Sequence, residues 1–200
     1  MKELTASMVK ELRDKTGAGM MDCKRALEEC GLDMERAAEF LRQKGLAQAA
    51  KKAGRAASFG IIESYVHLAG RIGVLVEVNC ETDFVAKNEK FVQFAHDIAM
   101  QVAATKPRWV KREDIPPEII EKEREIERTR ALSEGKPEKI VDRIVDGRMD
   151  KFFKENCLLE QQFIKDETRT IEELLKQHIA LFGENMAIRR FVRFEANEPI

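Results

Sequence analysis

The chain has 200 residues, 36% of them charged and 44% apolar, and its 35 basic and 36 acidic side chains leave a formal net charge of −1. The apolar share is enough for a folded core, whereas the charge balance argues against a general nucleic-acid binder or a polybasic membrane-surface protein, each of which needs a basic excess. No stretch approaches the roughly 18 apolar residues of a membrane span, no signal segment opens the chain, and Cys23, Cys30, Cys80 and Cys157 form no C-x-x-C pair, so a cytoplasmic protein in a reducing compartment is expected.

Residues 5–45 read as three short amphipathic helices. The first carries Met8, Val9 and Leu12 and stops at Thr16-Gly17-Ala18-Gly19. The second, with Asp22 as N-cap, places Cys23, Ala26, Leu27 and Cys30 on one face and ends at Gly31. The third, capped by Asp33, aligns Met34, Ala37, Ala38 and Leu41 and stops at Gly45. Helices this short can bury their stripes only on one another, which makes residues 1–45 a minimal helical module. Residues 46–57 are rich in Ala, Lys and Arg with almost no large apolar group, and read as a partly helical basic linker before a domain spanning residues 58–200.

The period then changes to two. Phe59 to Val66 is a strand, Leu68-Ala69-Gly70-Arg71 a turn, and Ile72, Val74, Val76, Val78 and Cys80 alternate along a second strand. A helix from about Asn88 buries Phe91, Ala95, Ile98 and Val102. Pro116-Pro117 opens a helix whose body is mostly charge, Ser133 to Pro137 breaks it, and a return helix carries Ile140, Val141, Ile144, Val145 and Met149. The pair reads as a projecting helical hairpin at about 116–154. Thr170-Ile171-Glu172-Glu173 is a capping box before Leu174, Leu175 and Ile179, and Ile188, Val192 and Phe194 mark a third strand. The expected fold class is α+β: a three-helix module, then a small three-stranded antiparallel sheet packed by helices and a helical hairpin.

Catalytic and metal motifs are absent: no P-loop, no dinucleotide-binding glycine pattern, no H-E-x-x-H. His67, His96 and His178 stand apart in sequence; His178 reads as a packing residue, and Cys23 and Cys30 as small apolar fillers. A Cys80–His67 nucleophile pair is conceivable, but nothing specific supports it. No enzyme activity, metal or cofactor is expected.

Two segments stand out. Cys80-Glu81-Thr82-Asp83-Phe84-Val85-Ala86-Lys87 connects strand to helix, a place that normally runs on the surface. Either Thr82 or Asp83 caps the helix and Phe84 folds back as a staple, or Phe84 is an exposed anchor for a partner. In Thr16-Gly17-Ala18-Gly19-Met20-Met21, two adjacent methionines cannot both enter a small helical core, so one is loosely covered or both serve as adaptable binding groups.

Leu12-Arg13-Asp14-Lys15-Thr16-Gly17-Ala18-Gly19-Met20-Met21-Asp22-Cys23-Lys24 resembles the N-terminal signature of bacterial elongation factor Ts, and Glu77-Val78-Asn79-Cys80-Glu81-Thr82-Asp83-Phe84-Val85-Ala86-Lys87 resembles its second signature. Val145-Asp146-Gly147-Arg148-Met149 and Arg190-Phe191-Val192-Arg193-Phe194-Glu195 are similar to later segments of the family. The resemblance implies a ubiquitin-associated-like N-terminal module that docks on elongation factor Tu through Thr16, Gly17, Ala18, Gly19, Met20 and Met21. It also implies an element formed by Thr82, Asp83, Phe84 and Val85 that helps dislodge the magnesium holding GDP in Tu, with His67 as a further partner contact. The hairpin resembles the family's coiled-coil projection. Longer members carry two related core halves. Here Tyr65-Val66-His67 and Ala69 to Leu75 resemble the second half and the Thr-Asp-Phe motif the first, so a homodimer is expected to supply the missing half. The competing readings are a scaffold whose three-helix module binds some other helix without exchange, and an RNA-binding accessory using Lys51, Lys52 and Arg55, which the charge balance disfavours.

Overall fold

A computed structural model describes residues 3–198. In chain order the elements are α1 (Ala6–Thr16), α2 (Met20–Glu29), α3 (Met34–Lys52), β1 (Phe59–His67), β2 (Ile72–Cys80), α4 (Asp83–Ala86), α5 (Glu89–Thr105), α6 (Pro117–Ser133), α7 (Glu138–Asn156), β3 (Gln162–Phe163), β4 (Asp166–Thr170), α8 (Ile171–Phe182) and β5 (Met186–Glu195). The residues divide into two compact units. Among the described residues, one comprises 3–61, Val78–Val92 and Glu173–Ala187; the other comprises Ile62–Glu77, Gln93–Glu172 and 188–198.

In the first unit, α1, α2 and α3 close around Val9, Leu12, Cys23, Ala26, Leu27, Cys30, Ala37 and Leu41. Gly17 ends α1 in the left-handed region (φ 70°), its N–H returning to the Arg13 carbonyl. Two expectations need correction here. Asp22 is not the cap of α2. Gly19 occupies that position, and Asp22 lies in the first turn, where its carboxylate meets the helix's positive end and accepts from Arg25 (2.8 Å) and Lys44 (3.1 Å). The Lys44 hydrogen bond, followed by the charges of Lys44 and Arg25, holds the Asp22 carboxyl below its ordinary range despite partial burial. Gly45 does not stop α3, which runs on to Lys52. A Cβ at Gly45 would come within 3.1 Å of Ala180 Cβ on α8, so the glycine serves close helix approach rather than termination.

In the second unit, the sheet follows the order β1-β2-β5. Arg71 accepts from Ala196 N–H (2.8 Å) while Glu77 meets Arg190 (2.7 Å), so β2 and β5 run antiparallel. α5 lies on one face of the sheet. His96 on this helix meets Glu63 (2.9 Å), and Arg193 donates to the Ala103 carbonyl (3.3 Å). The buried amide of Gln101 donates to the Gln162 carbonyl (3.0 Å) and accepts from Ile164 N–H (2.9 Å), tying α5 to the two-stranded β3-β4 sheet, which the sequence pattern did not indicate. α6 and α7 pair as a hairpin around Ala131, Val141, Val145 and Met149. Outside that narrow seam the arms are cross-linked by ions: Arg124–Asp146 and Arg128–Asp142 at 2.5 Å, and Arg148 bridging Glu127 (2.9 Å) and Glu134 (2.7 Å).

Candidate partner-docking site

The segment after β2 does not enter the long helix directly. Residues 83–86 form a single helical turn, α4, before α5 begins at Glu89. Thr82 is its N-cap, with extended backbone and a hydroxyl that accepts from Val85 N–H (3.4 Å). Ala86 is buried and pins the inner side of the turn, while Phe84 points outward with 83% of its surface exposed. The hydrophobic-staple expectation for Phe84 is therefore overturned. A one-turn helix rotates successive residues by about 100°, so burying Ala86 turns Phe84 away from the core. Asp83 pairs with Lys87 at 2.7 Å, and the Lys87 hydrogen bond holds its carboxyl below the ordinary range.

The turn is braced from behind. Glu184 accepts both the Thr82 N–H (3.0 Å) and the Thr82 hydroxyl (2.7 Å). The Cys80 thiol donates to the Thr82 carbonyl (3.1 Å), and burial, with the nearby Glu184 charge, pushes that thiol's pKa up. One residue earlier the partners exchange roles: Glu81 accepts Asn185 N–H (2.5 Å), and the Asn185 amide donates to the Arg55 carbonyl (2.6 Å). Sequence reasoning missed Glu184 and Asn185, and singled out Arg55 only for its charge, not for the carbonyl that Asn185 holds. Their local sequence carries no chemical motif; only Gly183, a left-handed stop at φ 72°, marked a turn there.

The same unit holds Thr16 to Met21. Thr16 bonds back to the Leu12 carbonyl (2.7 Å) and accepts from Ala18 N–H (3.3 Å), which folds the loop tightly. A Cβ on Gly17 would touch Leu181 of α8 at 3.5 Å. Met20 and Met21 are 55% and 64% exposed, so neither enters the core. α8 and the turn after it therefore reach both predicted segments: α8 packs beside Gly17 and Gly45, Glu173 near its start lies 3.6 Å from Arg42, and Glu184 in the following turn holds Thr82. His67 belongs to the other unit. Its ring is exposed, stacks on Tyr65 (5.7 Å) and shares a 2.8 Å hydrogen bond with the Tyr65 hydroxyl. With the His67 ring bonded to Tyr65 and the buried Cys80 thiol bonded to Thr82, neither side chain has the arrangement of an activated nucleophile pair. Among the described residues no cluster of three or more His, Cys, Asp or Glu could hold a metal, and no helix is long and apolar enough to cross a membrane.

The sequence as a whole is similar to known proteins. Residues 46–198 match the family model described as elongation factor TS. The chain belongs to the elongation factor Ts family. It is 66% identical over 197 residues to "Elongation factor Ts" of Carboxydothermus hydrogenoformans, covering 98% of this chain and 91% of that protein. It is 64% identical over all 200 residues to "Elongation factor Ts" of Desulforamulus reducens, covering 92% of that protein. With "Elongation factor Ts" of Thermoanaerobacter sp. the identity is 59%, over 98% of this chain and 97% of the relative. Elongation factor Ts proteins are translation elongation factors, and this member shares their sequence along nearly its whole length, including the residues before 46 that the family model does not cover.

Proposed function

We propose that this chain is a guanine nucleotide exchange factor that binds elongation factor Tu carrying GDP, helps dislodge its magnesium ion and promotes release of GDP for exchange with GTP. The observation that carries the reading is Phe84, an aromatic ring 83% exposed on a one-turn helix whose base is hydrogen-bonded from behind. Such a ring is an anchor waiting for a pocket. Thr82, Asp83, Phe84 and Val85 form the element that reaches Tu's magnesium site. The module of residues 1–45 docks separately through Thr16 to Met21, the basic segment 46–57 connects it to the 58–200 core, and His67 adds a further contact. The factor catalyses no reaction and needs no cofactor of its own. Its work, in the cytoplasm, is binding.

The energetics set a requirement. Magnesium bridges phosphate oxygens to protein ligands, so displacing it weakens the hold on an anionic diphosphate. By linkage, the factor weakens GDP as much as GDP weakens the factor. A ten-thousand-fold weakening requires about 5.5 kcal/mol of coupling, whereas burying one Phe supplies about 1.5–3 kcal/mol. The remainder must come from docking of the N-terminal module and the core, which make insertion of Phe84 effectively intramolecular. Release of a fluorescent GDP from Tu, with and without this protein, tests the reading. Acceleration at substoichiometric factor is expected; binding to Tu with unchanged release would leave only a scaffold.

The proposal includes a homodimer. The sheet face opposite α5 exposes Ile62, Val66, Leu75, Val192 and Phe194, a continuous apolar surface across β1, β2 and β5. Part of what longer family members carry in a second core half is then supplied by a second copy packed on this face.

A further inference from the structure

We infer that Glu184 is a positioning residue for the exchange element: acting through Thr82, it sets the direction in which Phe84 leaves the turn. The inference rests on the reading of Thr82 to Val85 as the element that promotes GDP release. An exposed ring has no packing neighbours to aim it, so its direction is set by the backbone that carries it. That backbone is fixed at Thr82. Its N–H and its hydroxyl both end on the one carboxylate of Glu184, at 3.0 and 2.7 Å, which fixes the peptide plane and the side-chain rotamer together. With its proton committed to Glu184, the Thr82 hydroxyl oxygen turns a lone pair to Val85 N–H at 3.4 Å. Phe84 lies between these two fixed points.

The brace is itself held. Gly183 ends α8 in the left-handed region (φ 72°) and turns the chain so that Glu184 faces Thr82. Asn185 follows, buried, bonded to Glu81 (2.5 Å) and to the Arg55 carbonyl (2.6 Å). Glu184 belongs to no core stripe, and each of its two carboxylate oxygens accepts one bond from Thr82. Because α8 also touches Gly17, the arrangement sets the turn bearing Phe84 relative to the methionine loop inside one compact unit.

The test compares wild type, E184A, E184Q, F84A and the F84A/E184A double variant in stopped-flow release of fluorescent GDP from elongation factor Tu over a range of factor concentrations. The half-saturating concentration reads docking; the maximal release rate reads the wedge. E184A should lower the maximal rate about tenfold, the scale of losing hydrogen bonds to a charged group. Its half-saturating concentration should stay within about twofold, because the methionine loop still docks. E184Q should fall between, since its amide oxygen can accept one of the two bonds. In the F84A background E184A should add nothing, whereas a merely structural role would lower the rate again. A wild-type maximal rate for E184A, with F84A slow, overturns the positioning role and leaves the exchange reading intact. Additive losses in the double variant also overturn it, and a wild-type rate for F84A overturns both. Should E184A fail to fold, E184Q and its double variant with F84A carry the same comparison.

Discussion

The Lys87 ammonium lies 2.7 Å from the Asp83 carboxylate, one helical turn along the segment that presents Phe84. The Lys87 hydrogen bond lowers the Asp83 pKa below its ordinary value. The sign follows directly. A depressed carboxyl pKa stabilises the fold above the unfolded value and is lost only as pH falls through the folded one. The Asp83 side of the pair therefore stays ionised above the ordinary carboxyl range and is lost only as pH falls below it. Both partners are solvent-accessible, so the pair is weak and separates easily when Asp83 meets a partner. Lys87→Met should return the Asp83 titration to the ordinary carboxyl range in an NMR pH series while leaving the melting temperature at pH 7 nearly unchanged. An unmoved titration would show that Lys87 is not what holds Asp83.

Two phenylalanines seven positions apart should separate function from folding. Phe84 is almost fully exposed, so Phe84→Ala should shift stability by no more than about 0.5 kcal/mol while slowing GDP release from Tu. Phe91 is fully buried and packs edge-on to Phe182 at 6.3 Å, so Phe91→Ala should cost about 3–5 kcal/mol. Urea unfolding measures the first quantity and stopped-flow release the second. Loss of stability in Phe84→Ala would place that ring in the fold rather than at an interface.

Gly60 tests a tight approach of two strands. A Cβ there would collide with the Val78 carbonyl oxygen and stand 2.8 Å from Asn79 Cα. Both obstacles include backbone, which cannot swing aside as a side chain would. Gly60→Ala should destabilise by about 1–3 kcal/mol or more, the scale of an overpacked core. Gly73 has open space around its missing Cβ, so Gly73→Ala is the control. Equal denaturation midpoints for the two would show that β1 can shift away from β2.

What the sequence made readable was whatever repeats within one element. Alternation from Ile72 to Cys80 placed Val74, Val76 and Val78 in the core, and the Phe91, Ala95, Ile98 and Val102 stripe placed α5 on one face of the sheet. Signals that depend on a distant neighbour were misread. Gly45 looked like a helix stop because the residue it accommodates, Ala180, is far along the chain. Asp22 looked like a cap because its partner Lys44 lies on another helix. β3, two residues long, is too short to show any period. For the site, the exposed ring and the methionine loop were visible as apolar residues in places where loops run. The Glu184 brace was not, since its bond to Thr82 spans 102 positions and no local pattern encodes it.

The apolar sheet face makes the strongest claim about assembly. Tyr65 and Arg193 point to the α5 side, Tyr65 edge-on to the His96 ring at 5.6 Å and Arg193 bonded to Ala103. Strand alternation therefore sends Ile62, Val66, Val192 and Phe194 to the opposite face, where Phe194 is 70% exposed. The charges on that face are of both signs and already paired, Glu77 with Arg190 at 2.7 Å. A two-fold interface sets a patch against its own copy, so a one-signed face would repel itself and a neutral apolar face does not. Two such sheets pack about 10 Å apart with their side chains interleaved. Light scattering at about 10 μM, a concentration that populates a dimer of micromolar affinity, should give twice the 22.9 kDa chain mass. Phe194→Lys and Val66→Lys should each give the single-chain mass with stability changed by no more than about 0.5 kcal/mol, because both positions are exposed in the lone chain. A wild-type chain that scatters as a monomer at that concentration would leave the face to another partner.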